Sequence, residues 1–275
     1  MARSRKRSET TDFILFTIKL ALIVFILRSF IVAPFNIPSE SMQPRLLIGD
    51  YLLVGKWPYG YSRYSLPFNL PLIPGRIFAS APTPGDVVVF KAPANLNEDW
   101  IKRVVALPGD LVQVRDGTVY LNGKAVPKRR IEDLVIPVTA NMTSATRLEG
   151  GASPCYRARF EVYGKAGALS CRYPQYRETL PNGRSYNVLD LEDGPEDNTP
   201  VMVVPKDHVF VMGDNRDRSA DSRVPVANGG VGLLPQQNLV GKALISVFAT
   251  DGSANWLLPW TWFTAARTDR IGEGF

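Results

Sequence analysis

From Phe13 to Ala33 the chain is almost wholly apolar, close to the roughly 20 residues a helix needs to cross a bilayer. Lys19 and Arg28 interrupt the run. Lys19 can snorkel toward the basic flank and Arg28 lies near the far end, so both charges are compatible with a tilted span. A cleaved leader would need a small-x-small site after the apolar stretch, and Val32-Ala33-Pro34-Phe35 is a poor one. Arg3, Arg5, Lys6 and Arg7 precede the run, which predicts a cytoplasmic N-terminus and an external remainder. The expected organisation therefore begins with a basic tail over 1–12 and an uncleaved anchor over 13–35.

Beyond the anchor the pattern is β. Tyr51–Val54, Val87–Phe90, Trp100–Val105, Leu111–Val114 and Thr118–Leu121 read as short strands. Turns such as Pro84-Gly85-Asp86 and Leu107-Pro-Gly-Asp110 punctuate them, and Asn122-Gly123 is a strong hairpin signal. Asn95–Asp99 reads as a loop. Strand pattern returns at Val201–Val204, His208–Met212 and Leu239–Phe248. The fold class is mostly β, with a catalytic domain over 36–111 and 201–275 and a β-rich insertion over 112–200. The formal charge of +6 is not gathered into any nucleic-acid reader. Trp57 to Pro74, dense in aromatics and proline, and Trp256 to Phe263 suit a lipid–water interface. The alternative for the first of these is a loop packed over its own sheet.

Chemistry is sharply limited by composition. His208 is the single histidine, which rules out a multi-histidine metal site. Cys155 and Cys171 lie 16 apart without CxxC spacing, so a disulfide in an oxidising compartment is expected rather than a zinc or redox motif. Ser39 and Ser41 sit i, i+2 in a turn stiffened by Pro38 and Pro44. A serine nucleophile needs a base. His208 is one candidate; Lys102, among Trp100, Ile101, Val104 and Val105, is the other, if burial keeps its amine neutral. Gly213 to Arg223 is polar except for Ala220, either an exposed loop or a buried network beside a site.

Taken together, Pro38-Ser-Glu-Ser-Met42, Gly85–Phe90, Trp100-Ile-Lys-Arg103, Leu107–Asp110 and Gly213–Arg223 resemble, in order, the conserved boxes of bacterial type I signal peptidases. The likeness covers about 29–110 and 205–248, with a weaker echo at Arg270-Ile-Gly. It implies a β-rich domain on the outer face of the cytoplasmic membrane that removes signal peptides with a Ser/Lys dyad. On that likeness Ser41 is the nucleophile and Lys102 the general base, with the Ser41 N–H and the Ser39 hydroxyl as oxyanion donors. Ser219 would bond the Lys102 amine, and Asp221 and Arg223 would brace the loop as an ion pair. Phe35, Ile37, Pro38, Met42, Leu52, Val89, Trp100 and Ile101 would line shallow pockets for small residues at −1 and −3. Signal peptides and the lipid bilayer are the expected partners, near the secretion translocon, with no nucleic acid, metal or cofactor. Arg218 departs from the family's usual Asn, and the insertion over 112–200 does not align. A pilus-assembly peptidase, or a non-catalytic peptide-binding domain, are the competing readings.

Overall fold

The computed structural model describes residues 9–148, 150–164, 167–255 and 257–275. The basic residues of the expected tail and Trp256 lie outside these. Helix α1, Glu9–Ile26, continues through a π-helical turn at Leu27–Ile31. The continuous helical span Glu9–Ile31 contains an 18-residue window of mean hydropathy 2.3 and is long and apolar enough to cross a membrane. Most of its side chains are exposed: Phe13, Phe16, Leu22 and Ile23 are all more than half so, a surface that water alone would not tolerate. The helix stops before residue 35. Pro34 disfavours helical backbone in the residue ahead of it, and Val32 is already extended.

Val32–Asn36 accordingly forms β1, so the last part of the expected anchor belongs to the sheet. The other central strands are β2 (Asp50–Gly55), β3 (Val87–Ala92), β4 (Asn95–Ala106), β5 (His208–Met212), β6 (Leu234–Pro235) and β7 (Leu239–Ala249). Their order is β1-β2-β7-β3-β4-β5-β6, antiparallel throughout. The expected loop at 95–99 is the first half of β4: Asp99 pairs with Lys91 and Trp100 with Phe90. Polar side chains masked a strand there because this half of β4 is mostly exposed.

β3 shows why the run Val87–Phe90 is unbroken. All six of its residues are buried, because both faces of the sheet are covered. Val87 and Val89 pack with Ile37, Met42, Leu52 and Val54; Val88 and Phe90 pack with Val104, Val209 and Leu239.

The stretch expected to be an insertion, 112–200, contains the strands Lys128–Pro137, Leu169–Thr179, Glu161–Tyr163 and Ser185–Leu189 and the α-helix Ala140–Leu148. Its two ends lie side by side, Val203 opposite Leu111. It has no separate core at that junction: Val112, Val114 and Val188 pack with Val105, Phe210 and Met212 of the central sheet. Cys155 and Cys171 are disulfide-bonded and pack with Tyr173, Leu189 and Ile48.

The aromatic stretch divides between the two readings given to it. Tyr59, Tyr64 and Leu66 are buried, whereas Trp57 is half exposed and Phe68 is 96% exposed. Near the C-terminus, Leu257, Trp260, Trp262 and Phe263 are exposed as well.

Candidate active site

The turn carrying Ser39 and Ser41 is closed at its base. Ile37 N–H donates to Asp50 O and Gly49 N–H to Ile37 O, at 2.8 and 2.9 Å. Gly49 has φ +90°, and a Cβ there would stand 2.2 Å from Thr250 O, so only glycine fits. Asp50, fully buried, is gripped by Arg267 and Arg270 at 3.0 and 2.8 Å. Arg270 also donates to Arg45 O, 2.8 Å away. The Arg270-Ile-Gly echo thus clamps the far end of the serine turn.

Ser41, 6% exposed, meets Lys102 from β4, with 2.8 Å between Oγ and Nζ. The amine also donates to Ile101 O at 3.0 Å. Ser39 Oγ lies 3.4 Å from Ser41 Oγ. Burial pushes the Lys102 amine down to about 8, against the upward pull of Asp221 and Asp214. That pull is blunted because each carboxylate is already engaged. Asp221 pairs with Arg223 at 2.9 Å and accepts from Gly213 N–H. Burial would raise Asp221, but Arg223 and these N–H donors outweigh it and hold its carboxyl below the usual range. Asp214 is bidentate with Arg103, at 2.7 and 2.6 Å.

The polar segment 213–223 is therefore a buried network beside the serine, not an exposed loop. Asn215 N–H donates to Ser41 O at 3.1 Å. A Cβ on Gly213 would come within 2.5 Å of Ser41 O and 2.3 Å of Ser219 Oγ, which requires glycine where three segments converge. Arg216 is bidentate with Glu178 of the insertion and donates through Nε to Gly213 O.

Ser219 departs from expectation. Its hydroxyl is buried but has no hydrogen-bond partner among the described residues, so the bond to Lys102 is not formed. The Lys102 amine is already engaged with Ser41 and with Ile101 O.

A cavity of about 470 Å³ opens beside the serine, lined by Phe35, Ile37, Pro38, Val89, Trp100 and Ile101, among others. Met42 and Leu52 do not reach it. Both are fully enclosed in the core beneath the turn, Met42 because it follows Ser41 and points inward where Ser41 points out. Sequence reasoning missed Arg103, Asp214 and Asn215. A charged residue directly after Lys102 in a strand was the available hint, since alternation sends it to the opposite, equally covered face. His208 lies apart: it pairs with Pro235 on β6, its Nδ1 stands 2.9 Å from Lys206 O, and it is not among the residues lining the cavity.

A family model described as signal peptidase, peptidase S26, matches residues 10–248. The chain is 35% identical to signal peptidase I of Rickettsia typhi over 237 residues, 83% of this chain and 76% of that one. With signal peptidase I of Rickettsia canadensis it shares 34% over 267 residues, 90% and 87% of the respective chains. A solved signal peptidase I from Enterococcus faecalis V583 overlaps loosely, with TM-score 0.30 and 23% identity over 59% of this chain and 97% of that one. With a family match that spans the apolar N-terminal helix, the serine turn, Lys102 and the buried network, the chain belongs to the signal peptidase family, peptidase S26, a family of serine endopeptidases.

Proposed function

We propose that this chain is a single-pass membrane peptidase that cleaves N-terminal signal peptides from exported preproteins after small residues, with Ser41 and Lys102 as its dyad. The observation that carries the reading is the 2.8 Å contact between Ser41 Oγ and an enclosed Lys102 amine. An amine pushed down to about 8 has an appreciable neutral fraction near neutral pH, which a lysine at its usual value of about 10.4 lacks.

The substrate's extended segment lies along the cavity with small side chains facing Phe35, Ile37, Val89 and Ile101. As Ser41 Oγ attacks the scissile carbonyl carbon, its proton passes to Lys102 Nζ. The developing oxyanion takes hydrogen bonds from the Ser41 N–H and the Ser39 hydroxyl. Collapse breaks the C–N bond, and Lys102 returns the proton to the departing amine, leaving an acyl-enzyme on Ser41. Water, deprotonated by the same amine, then releases the signal peptide. Asp221–Arg223 and Asp214–Arg103 keep the carboxylates near Lys102 paired, which limits how far they stabilise its charged form.

In this reading α1 anchors the chain in the cytoplasmic membrane with its N-terminus inside, and the β-domain works on the outer face, near the translocon. The long apolar helix supports the anchor. The bonded cysteines suit an oxidising exterior. Phe68, Trp260 and Phe263, all strongly exposed, are placed to dip into the interface.

The test is cleavage of a model preprotein by the full chain in detergent. Ser41→Ala removes turnover with the fold intact by circular dichroism. Ser39→Ala loses about 10²–10³ in kcat, the scale of one oxyanion donor. A folded Ser41→Ala protein that still cleaves would overturn the assignment.

A further inference from the structure

The foot of α1 is fixed to the β-domain. Tyr61 Oη donates to Phe30 O at 3.0 Å, the two rings meet edge to face at 5.3 Å, and Lys56 N–H donates to Ile31 O at 2.9 Å. Between helix and domain a cavity of about 410 Å³ opens, with Arg28, Lys56, Lys91 and Asp99 among its walls. Three cations face one carboxylate, and that carboxylate is 3.0 Å from Lys91. Lys56 is only 5% exposed, and its amine has neither a hydrogen bond nor an ion pair among the described residues; it stands 5.6 Å from the centre of the Phe35 ring. Burial pushes this amine down to about 8, and Lys91 and Arg28 push the same way against Asp99. A buried ammonium whose nearby carboxylate, Asp99, is already paired with Lys91 is costly, and a second and third cation beside it need a reason.

The remaining walls point to what the counter-ion is attached to. Leu66, Pro67 and Phe68 form an apolar part of the wall beside Ser65, Asn69 and Asn97, and Phe68 is 96% exposed. Arg28, in the turn that continues α1, is one of the walls, and the apolar surface of α1 is exposed. We infer that this cavity binds the phosphate of a phospholipid, with Lys56 and Arg28 as the charged donors and the acyl chains lying along α1 and Phe68. The inference rests on the reading of α1 as a membrane span. Lys56 donates from its ammonium to a phosphate oxygen, and Arg28, in the last turn of the span, reaches the headgroup from the membrane side, as cations at an interface do. The site is separate from the serine but not remote, since Phe35 and Asp99 line both cavities.

The experiment uses the full chain in nanodiscs of phosphatidylcholine with a minor fraction of phosphatidylglycerol. After mild release, co-purified lipid is counted by native mass spectrometry. The expected result is one retained phosphatidylglycerol, enriched over phosphatidylcholine. That retention falls about tenfold or more in Lys56→Met and in Arg28→Gln, the scale of losing one charged hydrogen bond. Equal retention in wild type and Lys56→Met, or retention without headgroup preference, overturns the proposal. Glycerol 1-phosphate or inorganic phosphate binding as well as the lipid would make this a soluble-anion site, and competitive loss of lipid on adding a signal peptide would make it part of the substrate groove; either also overturns it. Failure of the anchor itself reads differently: wild-type protein would then leave the membrane in alkaline carbonate. A failed dyad would leave lipid retention untouched.

Discussion

Lys102 and Lys56 are both enclosed in this domain, and burial pushes both down to about 8. The surroundings that accompany the same displacement are opposite. Around Lys102 the other charges are carboxylates, each tied to an arginine, and the amine touches a hydroxyl. Around Lys56 the other charges are mostly cations, and the amine faces an opening. Lys102 is therefore suited to hold and release a proton, and Lys56 to hold an anion. A lowered lysine pKa does not by itself identify a base; the neighbour within reach of the lone pair does.

Replacing each lysine by arginine tests this contrast most strongly. A guanidinium stays charged at any relevant pH, so Lys102→Arg should lose cleavage by at least about 10⁴-fold, a loss comparable to removing a general base from a catalytic pair. Lys56→Arg keeps a phosphate-binding fork and should retain phosphatidylglycerol. Near-normal turnover of Lys102→Arg in a preprotein assay would reduce Lys102 to a buried charge and dissolve the comparison.

Stability against pH gives a second, smaller difference. Each folded-state value near 8 lies below the unfolded value near 10.4, so between the two the unfolded chain binds more protons and stability rises with pH. The cost of each lysine is complete below about pH 8 and gone above about pH 10.5. Lys102→Met and Lys56→Met should each stabilise the protein at pH 7 by about 3 kcal/mol as an upper figure, and the gain should fade as pH rises. Denaturant melts in lipid-free detergent at pH 7 and pH 10 measure it. For Lys56→Met, added phosphatidylglycerol should shrink the gain by stabilising the wild type. A gain that is flat with pH would mean the amines are neutral or charged throughout.

Ser219→Ala should have the smallest effect. The hydroxyl is buried without a partner, so its loss leaves no acceptor or donor stranded. Cleavage should fall only a few-fold, and the acid limb of kcat/KM should keep its midpoint near 8, the Lys102 value. A midpoint shift of a full unit would show that Ser219 closes onto the amine when substrate is bound.

The residues of the proposed dyad could be picked out because they lie in short local patterns. Ser39 and Ser41 sit between prolines, and Lys102 sits in an apolar strand. What was not legible depends on pairing across distance. Arg103 meets Asp214 across 111 positions and Arg216 meets Glu178 across 38, and neither partner is marked in its own neighbourhood. The exposed half of β4 looked like a loop because strand pairing there is carried by backbone, not by apolar alternation. Met42 and Leu52 are apolar residues beside a site, and only the packing tells a pocket wall from the floor below it. Lys56 gave no signal, since a lysine before an aromatic run looks solvated until segments distant in sequence enclose it.

The clamp of Glu178 on Arg216 has a consequence in time. Ser41 and Lys102 are synthesised early, but the groups around them come from residues 213–223, and Gly213 O is held by an arginine that the insertion itself grips. A nascent chain therefore carries the proposed nucleophile long before the surroundings that would activate it exist. On the proposed function, the peptidase should remain latent until nearly its whole length has been made, which would spare neighbouring precursors from premature cutting.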